Sequence, residues 1–185
     1  MRMPKKERNY LTEEEVDATI EEIDNNLIRL MATFLFNTGL RISECLNLKM
    51  NAVDFKKRII HVRQGKGKKD RVVPMNNKLY DLLLDYRDNW REAYTSDNFF
   101  ATRRTGSISY SHVNSTIRKA AKQAGINKQV SCHILRHSFA SALVKKNVGI
   151  VQIQKLLGHE SLAVTSIYTH TNTEALSDAV NALND

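Results

Sequence analysis

The sequence predicts a mainly α-helical domain that carries one small antiparallel sheet, an α+β arrangement. Three observations lead there. Apolar residues recur at helical spacing through most of the chain, two short β-branched runs flank a single glycine-containing basic loop, and capping residues punctuate the remainder. A chain of 185 residues is long enough to bury its own core.

Taken in order, residues 1–10 read as a basic, poorly ordered arm, and 11–185 as the folded domain. Thr12-Glu13-Glu14-Glu15 is a capping box that opens a helix running to about Glu22. Leu27, Leu30, Met31, Phe34 and Leu35 follow at helical spacing, and Gly39 is placed to end that helix. A short helix over Ile42–Lys49 carries Arg41 at its start. The pattern then changes: Arg58-Ile59-Ile60-His61-Val62-Arg63 and Asp70-Arg71-Val72-Val73-Pro74 flank Gln64-Gly65-Lys66-Gly67-Lys68-Lys69, the signature of a β-hairpin. Phe99-Phe100-Ala101 is the candidate third strand. Helices resume over about Lys78–Tyr94, with Leu79, Leu82, Leu83, Tyr86 and Trp90 as one stripe. Ser111 is read as the cap of the next, with Val113, Ile117, Ala120, Ala121 and Ala124 inward and Gly125 at its end. Helices over Cys132–Lys146, Ile150–Leu157 and Glu174–Leu183 complete the chain. No internal repeat, low-complexity tract or linker interrupts it.

The net charge of +8 and pI of about 9.5 stand out against otherwise ordinary apolar and charged fractions. They point to a polyanionic partner, nucleic acid ahead of a membrane surface. Cys45 and Cys132 form no paired motif, so reduced thiols are expected. No apolar window approaches membrane-spanning length and the basic start lacks a secretory apolar run, so the cytoplasm is the expected compartment.

Four features carry chemistry. On the helix containing His133, the residues Leu135, Phe139, Ala142 and Leu143 cluster on one face, and His133, Arg136 and His137 are read as occupying the other. By itself this could be a solvated basic face. Arg41 lies at a helix start, where N–H groups and the dipole favour anions, and its planar fork matches two phosphate oxygens. A surface pair with Glu44 at i+3 is the plainer reading, and the two are compatible. The hairpin gathers Lys56, Lys57, Arg58, Arg63, Lys66, Lys68, Lys69 and Arg71 against Asp70, a density that repels itself unless a polyanion neutralises it. Lysines that blunt an edge strand would look the same. The last feature is Tyr168, in Ser166-Ile167-Tyr168-Thr169-His170. Ionising a tyrosine of pKa about 10 at pH 7 costs about 4 kcal/mol, a cost that guanidinium neighbours and a histidine base would lower.

Together, Thr-Gly-Leu-Arg-Ile-Ser-Glu at 38–44, Gly-Lys-Gly-Lys-Lys-Asp-Arg at 65–71, His-Ile-Leu-Arg-His at 133–137, Leu-Leu-Gly-His at 156–159 and Ile-Tyr-Thr-His at 167–170 resemble the catalytic domain of the tyrosine recombinase (phage integrase) family. The motifs stand in the family's order, and the resemblance covers about residues 10–183. The resemblance implies the DNA breaking–rejoining catalytic fold and a set of roles. Arg41 and Arg136 would clamp the non-bridging oxygens of the scissile phosphate. Lys66 would protonate the departing 5′-oxygen, His133 would assist proton transfer from the tyrosine, and His159 would hydrogen-bond the phosphate. Tyr168 would attack and form a 3′-phosphotyrosyl link, reversible by a 5′-hydroxyl without metal, ATP or any cofactor. Glu44 and His137 would be supports, and Arg63, Lys68, Lys69 and Arg71 would contact DNA. The implied partners are double-stranded DNA, further copies of the chain as a tetramer on DNA, and accessory DNA-bending or directionality proteins, with no membrane. The location would be the cytoplasm, at the nucleoid when DNA is bound. Longer family members add an N-terminal DNA-binding domain. Here the signature begins almost at residue 10 with no separate core-binding domain, as in a catalytic fragment or in the short recombinases that invert promoter segments. Segment 174–183 resembles the helix that such enzymes dock on a neighbouring protomer, although folding back on its own core fits equally.

Three rival readings remain at this point. Arg136–Lys146 and Ile150–Leu157, joined through Gly149, could be a helix-turn-helix DNA reader. His133, His137 and His159 could hold a metal in a nuclease, although no general-base glutamate lies between the first two. A type IB topoisomerase uses a similar tyrosine, arginine, lysine and histidine set. Each leaves some of the motifs without a role or differs only in the outcome of the strand exchange.

Overall fold

A computed structural model describes residues 10–63, 70–92, 95–158 and 173–184. Helix α1 (Glu13–Glu21) opens with the expected capping box: the Thr12 hydroxyl accepts from the Glu15 N–H and the Glu15 carboxylate accepts from the Thr12 N–H. Helix α2 (Asn26–Thr38), capped by Asn25, is the central rod of the core. It is buried at Ile28 and continuously from Leu30 to Thr38, so its apolar stripe extends around most of its circumference. Helix α6 (Cys132–Lys145) packs along it, and α1, α4 (Asn77–Asp85) and α5 (Tyr110–Gln123) close its other sides.

Gly39 ends α2 in the left-handed conformation (φ 65°), and a Cβ there would lie 2.4 Å from Phe139 Cδ1. Both the dihedral and the close approach of α6 therefore require glycine. The chain then re-enters a short helix, α3 (Ile42–Leu46), which begins at Arg41. It stops three residues short of the expected Lys49: Asn47 closes the helix, and the Lys49 backbone is instead bridged to Asn98.

The sheet has three antiparallel strands in the order β1 (Val53–Asp54), β2 (Ile59–Val62), β3 (Arg71–Pro74). The expected hairpin is present, with Ile60 opposite Val73 and Val62 opposite Arg71. The third strand is β1, not Phe99-Phe100-Ala101. There the Phe99 carbonyl accepts from the Tyr86 hydroxyl (3.0 Å) and from Arg91 Nε (3.1 Å), and only Asn98 makes an isolated bridge, to Lys49. Phe99 and Phe100 instead anchor an aromatic cluster with Phe34 and Tyr86.

Asn76, fully buried, caps α4 and donates to Asn37 of α2 at 2.7 Å, which fixes the helix after the hairpin to the central rod. Helix α4 continues through a wide turn to Trp90 rather than to Tyr94, and Leu82 of its expected stripe is 38% exposed. Ser109, not Ser111, caps α5, whose end at Gly125 (φ 76°) is as expected. Helices α7 (Ile150–Leu157) and α8 (Thr173–Asn181) follow, and α8 lies against β3 and α7 of its own chain, burying Leu176 and Val180. Cys45 and Cys132 are buried free thiols. Burial pushes Cys45 well up, and it pushes Cys132 up to about 11, so both stay protonated at neutral pH. Among the described residues no helix is long and apolar enough to cross a membrane.

Candidate active site

The site is organised by one carboxylate. Glu44, on the first turn of α3, reaches back to the Arg41 N–H (Oε2, 2.8 Å) and to Arg41 Nη1 (Oε1, 3.1 Å). The same two oxygens accept the fork of Arg71, Nη1 and Nη2 each at 2.9 Å. Burial pushes the Glu44 carboxyl up, but the hydrogen bonds from Arg71 and the Arg41 N–H, with the charges of both arginines, outweigh it and leave it below the usual carboxylate range. Glu44 is thus an anion at neutral pH, and it supports Arg41 as expected.

Arg41 keeps 37% of its side chain exposed, so one guanidinium face is held from behind and open in front. It lines a cleft of about 270 Å³ together with Ser43, Asn47, Lys49, Asn51, His61 and Arg63. Arg63, just beyond β2, is exposed and stands on this cleft. The sequence reading missed His61 and Asn51. Strand alternation was the available signal for His61, since its neighbours Ile60 and Val62 face inward.

Arg136 is where the structure departs most from expectation. It is 4% exposed, not part of an outward polar stripe. The reason lies in the helix geometry itself: seven residues at about 100° each bring Arg136 within about 20° of Leu143, on the edge of the core face. Its Nη1 donates to the Gly39 carbonyl (2.6 Å) and its Nη2 to the Leu157 carbonyl (2.8 Å), bridging the ends of α2 and α7. Burial, then the nearby charge of Arg41, lowers its pKa to about 10, with Glu44 acting in the opposite direction. It remains a cation at neutral pH. Arg41 and Arg136, far apart in sequence, are therefore brought into electrostatic reach by the Gly39 turn.

Helix α6 is aimed by its start. Ser131 caps it, and the Cys132 N–H donates to Asn114 of α5 at 3.0 Å. On its exposed side His133 and His137 meet, Nε2 to Nε2 at 2.8 Å with rings nearly perpendicular. One ring must donate and the other accept, so the contact fixes a pair of tautomers. Partial burial lowers the His137 pKa from the ordinary imidazole value, assisted by His133 and Arg136. Among the described residues no three or more His, Cys, Asp or Glu side chains converge as a metal set would.

Arg71 is also a correction. It was expected to contact DNA, but its side chain is 8% exposed and its fork is engaged by Glu44, with Nε donating to the Leu156 carbonyl at 2.8 Å. The remaining predicted site residues, Lys66, Lys68, Lys69, His159 and Tyr168, lie outside the described residues.

A mostly helical domain with this three-stranded sheet has the architecture of tyrosine recombinase and integrase catalytic domains. It superposes on the crystal structure of XerA recombinase with a TM-score of 0.76 at 37% identity, over 96% of this chain and 64% of that one. It superposes on XerH site-specific recombinase bound to difH substrate with a TM-score of 0.69 at 27% identity, over 90% of this chain and 51% of that one. In sequence it is 37% identical to the tyrosine recombinase XerA of Pyrococcus horikoshii over 97% of its own length and 62% of the relative's. It is 35% identical to a tyrosine recombinase of Pseudothermotoga lettingae, over 95% of this chain and 60% of that one. Residues 9–175 match the model of the Phage integrase family, and the chain belongs to that family.

Proposed function

We propose that this chain carries out the strand-breaking and rejoining chemistry of a site-specific DNA recombinase acting on double-stranded DNA. The observation that carries the reading is that the buried Arg136 is anchored on the Gly39 carbonyl, two residues before Arg41, which Glu44 holds from behind. The guanidinium groups of Arg41 and Arg71 share the Glu44 carboxylate and Arg136 is held nearby on the Gly39 and Leu157 carbonyls, so the cluster holds an excess of positive charge that a phosphodiester would neutralise. The charge of the whole chain agrees. XerH, a family member of known structure, is described as bound to its difH substrate.

In this account the two guanidiniums hold the non-bridging oxygens of one phosphate. The Tyr168 oxygen attacks phosphorus as its proton passes toward His133, and the bond from phosphorus to the 5′-oxygen breaks. Lys66 gives that oxygen a proton and His159 hydrogen-bonds the phosphate. The tyrosine is left joined to the 3′ end. One phosphoester replaces another, so a 5′-hydroxyl from a partner strand reverses the step without ATP or metal. Arg63, on the cleft beside Arg41, supplies a backbone contact, and Lys68 and Lys69 supply others. The assembly would be a tetramer of this chain on DNA at the nucleoid, with DNA-bending or directionality proteins setting the outcome.

The test is to incubate the protein with nicked suicide duplexes drawn from the DNA flanking its gene and recover covalent protein–DNA adducts. The wild-type chain should form them, with or without EDTA, and Tyr168→Phe should not while still binding DNA. Adducts in Tyr168→Phe, or activity lost to the chelator, would overturn the proposal.

A further inference from the structure

We infer that Arg71 is a positioning residue for the strand-breaking reaction, acting through Glu44 on Arg41 and through the Leu156 carbonyl on the end of α7; this rests on the function proposed above. Its place in the chain makes the connection possible. Arg71 opens β3, two residues after segment 64–69, which contains Lys66 in the sequence. Its fork grips both oxygens of Glu44, and those same oxygens hold Arg41 by its N–H and by Nη1. Its Nε takes the carbonyl of Leu156, beside the Leu157 carbonyl that Arg136 takes. One planar side chain therefore ties the start of β3 and the support of one phosphate-binding arginine to the last turn of α7. Segment 159–172, with His159 and Tyr168, leaves from that turn at Gly158.

A residue that holds DNA by its charge needs that charge left for the phosphate, and the Glu44 carboxylate takes up the charge of Arg71. Arg71 is 8% exposed on its side chain, with both η nitrogens on Glu44, while exposed Arg63 stands on the cleft. The arrangement demands arginine: lysine offers one point of charge and cannot span both carboxylate oxygens and a carbonyl at once. A change at Arg71 should thus move the reacting groups relative to one another and leave the DNA-facing surface as it was. Misplacement on the scale of an ångström costs about 100-fold in rate.

The experiment uses the full chain with Arg71→Lys and Arg71→Met, beside Arg63→Ala and Glu44→Gln, on a suicide duplex that wild type cleaves. Melting by circular dichroism establishes that each variant is folded. DNA affinity is measured over a range of salt, and adduct formation is followed in single turnover at saturating protein. For Arg71→Lys, affinity and salt slope should match wild type while the adduct rate falls about 10- to 100-fold. The loss should not deepen when Glu44→Gln is added, because both act along one connection. Arg63→Ala, at a side chain on the cleft, should by contrast lower the salt slope by about one unit. If Arg71→Lys is folded and cleaves like wild type, or lowers the salt slope as Arg63→Ala does, Arg71 is not a positioning residue. A wild-type chain that forms no adduct removes the parent reading and this one together; altered salt slopes with normal adducts remove this one alone.

Discussion

Replacing Glu44 by glutamine keeps the volume of the side chain and removes the charge that the arginine cluster shares. Glu44 and Arg71 are 11% and 8% exposed on their side chains, so the loss belongs with broken buried pairs. Such losses cost about 3–5 kcal/mol, because the surviving charge stays buried without its counterion. The Arg41 contact adds little, since that side chain is more than a third exposed. The amide oxygen can still accept from one nitrogen of Arg71, while the amide nitrogen faces another donor, so the lower figure of about 3 kcal/mol applies. For a chain of this size that corresponds to a fall in Tm of about 6–12 °C. The loss carries a pH signature. The Glu44 carboxyl is held below its ordinary value, so its contribution is fully present above about pH 4.3 and is lost as pH falls through the lower native value. Chemical denaturation of wild type and Glu44→Gln at pH 7 and at successively lower pH should show the gap closing. A change in Tm below about 2 °C at pH 7, or a gap that stays constant into acid, would refute the reasoning.

Gly39→Ala should cost about 2–4 kcal/mol, combining a left-handed backbone with overpacking against Phe139 and Leu157; an unchanged denaturation midpoint would contradict it. Lys66→Ala should slow cleavage of an ordinary duplex but not of one with a 5′-bridging phosphorothiolate, whose sulfur leaves without a proton. A persistent defect on the sulfur substrate would assign the acid elsewhere. In a proton titration followed by NMR, His137 should titrate below about 6.5 and move up toward that value in His133→Ala. The depressed value means the native state favours the neutral ring, so its share of stability is present above about pH 6.5 and falls away in acid. An unmoved His137 titration would remove the coupling.

Local signals carried much of this fold into view. The Thr12 box, the Gly39 turn, the two hairpin strands and the span of α7 all follow from short-range rules about caps, glycine and alternation. What the sequence hid were long-range decisions. Arg71 and Arg63 flank the same segment with the same charge, and the carboxylate of Glu44, brought over from α3, with the Leu156 carbonyl draws one inward. Arg136 was assigned outward by its polarity, although its angular position beside Leu143 placed it at the core margin. Phe99 and Phe100 have strand-like side chains, yet the Phe99 carbonyl is taken by Tyr86 and Arg91. The motif that named the family was legible because its spacing survives in one dimension, whereas which of its cations face solvent is decided by partners far along the chain.

The central claim is that Arg41 and Arg136 neutralise the non-bridging oxygens of a single phosphate. Substituting a neutral methylphosphonate at the scissile position tests it directly, by comparing adduct formation in wild type and Arg41→Ala. The account predicts a large defect for the variant on the natural phosphate and a much smaller one on the uncharged linkage. An equal defect on both substrates would contradict it.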